Sequence, residues 1–565
     1  MRQRRGSVAL GVLAALLTAC GSQDGADMAA TGSAAAGAGG TSPLGAAGST
    51  GPTAPGVCAP GVAATSQIPR LLNRQYEAVA RDLLGVRGLG SDNKSVAGLL
   101  VADSDGPMTP DAWRIYQDVG AQLAQAVMRG PNRAKFIECD PAAVGCMEKT
   151  IRTFGRRAFR RPLTAAEVAR FTKLADTTPP GTPEEIAEAT LFGFLVSPSF
   201  LMIPELSSTP ESTGFRLSSH EVATRLSFLL WGSIPDDALN AAADADQLQT
   251  SQQILAQAQR MIAVRDRSGP LIAAFHRNWA QMDSGSGHWW KLDHDKKIYP
   301  LYDAAAKPSW QAELDAFFED VAFSGGAFED LLLSNVAFVN KHNAAIYGLD
   351  ATKYADELVK VQLDAAQRPG FLTRVGFLSS YAGYDATSPI LRGAFLATYM
   401  LGINPGPPIP GATMMRVSGN FKTQREYVEA LTKPAACQGC HVIINPLGFA
   451  MEHYDGIGKW QTMDPRGGVI DASVTHGTIM LGGGKSALVT SPIELMQQIA
   501  DTPKAKQLYA RAWVAYAFGR EPNASDQCLI DQLHMKLADD NYTILSLLAD
   551  LTQADAFRLR ARAIP

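Results

Sequence analysis

Beyond residue 20 the sequence has no apolar run approaching the roughly 18 residues that a membrane-spanning helix needs, which excludes a polytopic membrane protein. It has little excess charge, formally -4 at pH 7, and no basic balance of the kind that backbone-binding proteins show, so nucleic acid is set aside as a partner. Cysteine is scarce. Seven in 565 residues are too few for a disulfide scaffold, so each must be read by position. Strand-like alternation is scarce as well; the best candidate is a short hairpin between Gly467 and Leu481, rich in glycine and β-branched residues. What is present is globular composition, 46% hydrophobic and 19% charged, at a length that suits three to five domain-sized units.

The first segment points to a compartment. Arg2, Arg4 and Arg5 precede an apolar stretch from Val8 to Leu17 that is too short to span a bilayer, and Leu17-Thr18-Ala19-Cys20 closes it. This resembles the lipobox of bacterial lipoproteins, which implies a signal peptide over 1–20 and Cys20 as the lipidated first residue of the exported protein. Gly21 stands where an aspartate would mark inner-membrane retention in better-studied lipoproteins, so the resemblance implies the outer membrane. Residues 21–57 are Gly, Ala, Ser, Thr and Pro with almost nothing to bury, a flexible tether of about 30–37 Å r.m.s. reach.

The remainder reads as mainly α. Ser or Thr followed three residues later by Glu, the reciprocal cap of a helix start, occurs at Thr164/Glu167, Thr182/Glu185, Ser218/Glu221 and Ser491/Glu494, with Pro183 and Pro492 at first helical positions. Apolar residues at helical spacing follow, such as Leu72, Tyr76, Val79 and Leu83. Breaks divide the chain into helical modules at 58–130, 135–206, 207–330, 335–465 and 466–565.

One constellation carries chemistry. Cys437-Gln438-Gly439-Cys440-His441 is CxxCH, the attachment signature of haem c. Two thiols one helical turn apart reach the two vinyl groups of haem, and the adjacent imidazole is aimed at the iron as proximal ligand. A CxxC redox disulfide is the competing reading, but the strand before it that such a motif favours is missing. Pro446-Leu447 resembles the proline-leucine pair that follows the haem motif in many c-type cytochromes, which implies that the Pro446 carbonyl accepts from the other nitrogen of His441, with simply ending a helix as the alternative; Phe449, Tyr454 and Trp460 are candidates to line the macrocycle. Met480 is the choice for distal ligand, ahead of Met451, His453, Met463, Met414 and Met415, because its distance in sequence and Gly-flanked loop resemble the distal-methionine arrangement of small single-haem cytochromes. An open iron remains the alternative, and the difference separates an electron carrier from an enzyme that activates peroxide or oxygen.

Leu72-Asn73-Arg74-Gln75-Tyr76 through Arg81-Asp82-Leu83-Leu84-Gly85, Phe154-Gly155-Arg156-Arg157-Ala158-Phe159-Arg160-Arg161-Pro162-Leu163, Leu226 through Trp231, Thr387-Ser388-Pro389-Ile390-Leu391-Arg392-Gly393 and Pro446-Leu447-Gly448-Phe449 are successive blocks. Together they resemble the planctomycete-type cytochrome-c-like proteins, multi-domain chains in which one module holds CxxCH. The resemblance spans about residues 68–560 and implies a large exported helical protein with one covalent haem c. That group often carries paired cysteines in its last module; here Leu508-Tyr509 falls where the first would stand, which leaves Cys528 without a local partner.

An exported chain sits in an oxidising space, so the four remaining cysteines are expected to pair: Cys139 with Cys146 locally, and Cys58 with Cys528 between the first module and the last, with free buried thiols as the alternative for the second pair. Gly482-Gly483-Gly484-Lys485-Ser486 suggests a phosphate loop, but Ile479 stands where its first glycine is required, so no ATP is expected. His288, Asp293, His294 and Asp295 beside Trp289 and Trp290 read as an exposed polar loop. Arg156, Arg157, Arg160 and Arg161 read as a solvated helix face. The function expected is a single-haem c-type protein, held to the membrane by its N-terminal lipid, that passes electrons to an unidentified redox partner. A haem-dependent oxidoreductase and a binding or scaffold module with structural haem stand as alternatives.

Overall fold

Each helix start signalled by a cap in the sequence forms in the structure. The computed structural model describes residues 70–87, 108, 110–176, 181–211, 214–282, 293–412, 415–481, 485–519, 521–539 and 541–561. Thr164 opens a helix, its hydroxyl accepting from the Glu167 amide while the Glu167 carboxylate accepts from the Thr164 amide; Thr182 with Glu185 and Ser218 with Glu221 do the same. At Ser491 the device slips by one residue. The hydroxyl caps Glu494, but the Glu494 carboxylate turns to the Thr490 amide and hydroxyl at 2.7 and 2.8 Å.

The chain is mainly α, with small antiparallel sheets of two or three strands. It divides into two compact units, one holding Tyr116–Phe200 and the other holding the described residues up to Ile115 together with those from Leu201 onward. In the first, helices α1 (Cys146–Ala158), α2 (Ala165–Thr172) and α3 (Pro183–Leu195) close around Phe154, Phe159, Phe171 and Phe194. Phe171 stacks on Phe194 at 3.9 Å between ring centroids, with Phe154 and Phe159 edge-on to it.

Arg160 corrects the reading of its arginine run as a solvated face. It is 3% exposed, in the left-handed backbone region at φ 60°, and its guanidinium donates to the Phe200 and Ser199 carbonyls at 3.1 and 3.0 Å. Burial pushes its pKa down to about 10. The run looked solvated because four arginines in six residues suit a surface, whereas one of them leaves the helical path after α1 and turns inward. Arg161 pairs with Glu167 at 2.8 Å.

In the larger unit, strands β1 (Thr209–Pro210) and β2 (Gly214–Arg216) join β7 (Leu559–Ala561) in an antiparallel sheet. Between them run α4 (Ser219–Trp231), α5 (Arg265–Trp279), α6 (Lys307–Phe323), the hairpin β3 (Val336–Val339) with β4 (Val359–Gln362), α7 (Pro389–Phe395), α8 (Gln424–Thr432), α9 (Ala435–Phe449), β5 (Val474–Leu481) with β6 (Lys485–Val489), and α10 (Pro503–Phe518). Phe275 of α5 stacks on Trp513 of α10 at 3.5 Å, and buried His276 meets the Tyr509 hydroxyl at 2.9 Å. Tyr509 is thus a core residue. The hairpin expected over 467–481 lies instead at 474–489, with Met480 opposite Ser486. Gly467, at φ 94°, belongs to a tight turn whose amide donates to Asp464, so the first half of the expected hairpin is consumed before any strand begins.

His294 is also a correction. It is 4% exposed and fixed between the Gly383 carbonyl and the Ser379 hydroxyl, both at 2.9 Å, while Asp293 accepts from Lys307 and Tyr302. His288, Trp289 and Trp290 lie outside the described residues.

Candidate functional site

Helix α9 carries the CxxCH motif in its first two turns and Pro446 in its fourth. At helical spacing, residues three and four apart share a face. Cys437 and Cys440 are such a pair, both half-buried and both free thiols. The Cys440 thiol donates to the Pro405 carbonyl at 2.9 Å, and a Cβ added at Gly439 would touch nothing within 4 Å. Val442 is 61% exposed, and Ile409 and Met415 in the segment after Pro405 are also exposed. The start of α9 therefore presents its sulfurs at an open, partly apolar surface.

The end of α9 is held the opposite way. A Cβ at Gly393 would fall 2.0 Å from the Ile444 carbonyl oxygen, and one at Gly448 would fall 1.9 Å from that of Pro389, so α7 and α9 cross with their backbones in contact. Arg392, fully buried, donates to the carbonyls of Met451, Tyr454 and Asp455 at 3.1, 2.8 and 2.8 Å and fixes the turn that follows α9. Glu452 sits in that turn, 4% exposed, accepting from the Thr387 hydroxyl at 2.9 Å. Burial, only partly offset by Arg392 at 3.9 Å, pushes its carboxyl up to about 7.

His441 is half-buried. Its Nδ1 lies 2.9 Å from Asn445 Oδ1, and Asn445 Nδ2 donates to the Thr432 hydroxyl at 2.9 Å. Pro446 does not make the bond assigned to it: its carbonyl accepts from the Ala450 amide. The reason is geometric, since carbonyls of a helix point toward its C-terminus and Pro446 lies five residues beyond His441 on the same helix.

The other expected neighbours are distributed. Phe449 and Tyr454 are buried, under the guanidiniums of Arg425 at 4.9 Å and Arg368 at 5.3 Å. His453 stacks on Trp460 at 4.7 Å. Met451 is buried and Met463 is 49% exposed. Met480 is on β5, and its side chain, like Met414 and Cys20, lies outside the described residues. Cys139 and Cys146 are joined in a disulfide, and Cys528 is disulfide-bonded; Cys58 is outside the described residues. Among the described residues no group of three or more His, Cys, Asp or Glu side chains converges on a metal-ion site, and no helix is long and apolar enough to cross a membrane.

Four family models match successive stretches, each described as a protein of unknown function: DUF1595 over 146–205, DUF1592 over 217–349, DUF1588 over 368–464 and DUF1585 over 487–557. The chain carries the planctomycete cytochrome-c-like domain set. Within that set, α7, α8, α9 and the turn held by Arg392 all fall in the DUF1588 stretch, so the CxxCH and the Thr387–Gly393 block that packs on it share one domain. No curated protein and no solved structure matches the chain.

Asn445 and Arg392 are the site residues that sequence reasoning passed over. The signal for Asn445 was its place four residues after a candidate ligand on one helix; for Arg392 it was a lone arginine in an otherwise apolar block.

Proposed function

We propose that the protein is a single-haem c-type electron carrier, anchored through lipidated Cys20 and working in the periplasm or at the outer-membrane surface with a redox partner. One observation carries the haem reading: Cys437 and Cys440 stay as thiols one turn apart at an open surface, whereas Cys139, Cys146 and Cys528 are disulfide-bonded. Attachment to a vinyl group requires reduced sulfur, because the sulfur and the thiol hydrogen add to the two carbons of the double bond with no net oxidation. The donor set fits haem c. Cys437 and Cys440 would hold it by thioethers, and His441 and Met480 would be its iron ligands. The haem supplies one-electron oxidation and reduction. The residues of this chain bind it, orient the imidazole and fix the helix that carries all three donors.

Denatured, reduced protein from cells with the haem-attachment machinery should keep haem on a gel and give a pyridine haemochrome of the two-thioether type. Haem extracted by acid acetone contradicts the proposal. Cys20→Ser should move the protein from the membrane to the soluble fraction; unchanged fractionation removes the anchor. Met480→Ala should abolish the near-infrared sulfur-to-iron band, and the band's absence from the unmodified protein would overturn the distal assignment.

A further inference from the structure

We infer that Asn445 is the positioning residue for His441, setting which imidazole nitrogen is left bare through a relay that ends on the Val428 carbonyl. The inference builds on the haem reading above. Every direction in the relay is forced. Thr432 Oγ1 lies 2.8 Å from the Val428 carbonyl, which can only accept, so the hydroxyl spends its single proton there. Toward Asn445, 2.9 Å away, the same hydroxyl can only accept, so the amide must present Nδ2 to it. Asn445 Oδ1 then faces His441 Nδ1 at 2.9 Å, and an amide oxygen can only accept. The proton of the neutral imidazole is therefore on Nδ1, and Nε2 is a bare lone pair to which none of the described residues hydrogen-bonds. Rotating the amide by half a turn would require the Thr432 proton to leave the Val428 carbonyl for Oδ1, at the loss of that 2.8 Å bond.

The relay is also dry and immobile. Asn445, Thr432 and Val428 are 8%, 3% and 2% exposed. Gln438 Nε2 donates to the Thr432 carbonyl at 2.6 Å, tying the motif's own helix to the end of α8. The backbone contacts of α7 with Ile444 and Gly448 lie on either side of Asn445 and leave it no freedom to slide along the helix axis. A buried acceptor on Nδ1 raises the donor strength of Nε2, which stabilises the oxidised form of a metal ligated there.

The test has two arms. Full-length protein carrying Cys437→Ala and Cys440→Ala, labelled with 15N-histidine and assigned against His441→Gln, should show His441 with Nδ1 protonated and Nε2 bare at neutral pH. Asn445→Leu should shift those resonances toward the mixture of free histidine. An Nε2-protonated ring in the parent, or unchanged resonances in Asn445→Leu, overturns the inference. In the haem-bearing protein, Asn445→Leu should raise the reduction potential and Asn445→Asp, which keeps the shape and adds charge to the acceptor, should lower it. Shifts in one common direction, or none, overturn it, and Asn445→Asp alone decides if the leucine variant does not fold. If no haem is bound, the proposed function fails while the first arm still decides the role of Asn445.

Discussion

Arg392 and Glu452 lie within 3.9 Å of each other with almost no exposed surface, yet their hydrogen bonds go elsewhere: the guanidinium to four backbone carbonyls, the carboxylate to Thr387. Because the arginine is committed to the carbonyls, burial dominates and Glu452 titrates near 7 in the native state against 4.5 for an ordinary glutamate. Between those values the folded protein holds a proton that the unfolded chain has released. The contribution of Glu452 to stability is therefore fully present below about pH 4.5 and lost as pH rises to 7, beyond which it levels. His276, buried and pushed down to about 3, works in the opposite sense between about 3 and 6.5, so the measurement must be a difference. Urea unfolding across pH 4.5–7 should show a smaller decline with pH for Glu452→Gln than for the parent; parallel curves would refute the assignment. At this scale CxxCH was legible because cysteine is rare and its spacing specific. Arg160, Arg392 and Asn445 were not, because a charged or amide side chain looks the same in a sequence whether it meets water or a buried carbonyl.

The crossing of α7 and α9 depends on two positions that cannot carry a side chain. Gly448→Ala sets a Cβ against the Pro389 backbone, which has no rotamer by which to yield, and should cost about 3 kcal/mol or more. Gly439→Ala, nine residues earlier in sequence on the same helix, meets only open space and should stabilise the haem-free chain by about 0.4–1 kcal/mol, since alanine loses less backbone freedom. Denaturant midpoints of the two variants should move in opposite directions, and equal destabilisation would mean the crossing is not set by backbone contact. Helix starts were legible because a cap is a local exchange of hydrogen bonds between residues three apart. The hairpin was misplaced by about seven residues because glycines at 467–468 and at 482–484 give equal turn signals, and only pairing decides between them.

At the scale of the molecule, the closure of the larger unit left no mark in the sequence. β2 has three residues and β7 three, and they pair across more than 340 positions, too short and too distant to leave a periodic signal. Arg225 of α4 reinforces the closure, donating to the carbonyls of Ala556 and Phe557 at 2.7 and 2.9 Å while its other face grips Glu205 at 2.5 and 2.7 Å. Arg560 returns the contact to the Ser207 carbonyl at 2.9 Å. A chain ending at Ala554 strands the Arg225 guanidinium without its carbonyl partners, a loss of about 2–4 kcal/mol from that group alone. It should be cut by protease at sites within 205–230 that the full chain protects; unchanged protection would show the closure to be dispensable.

That closure acts as a clock. Residues 555–561 emerge from synthesis well after the cysteines at 437 and 440, and the larger unit cannot seal until they arrive. Until then the Arg225 guanidinium lacks the Ala556 and Phe557 carbonyls. Under the proposed haem attachment, both thiols are on the chain before the closure forms. In a pulse-chase experiment protease resistance within 205–230 should appear only once residues 555–561 are made, and be weaker in Arg225→Ala; resistance before then would show that the closure does not seal the unit.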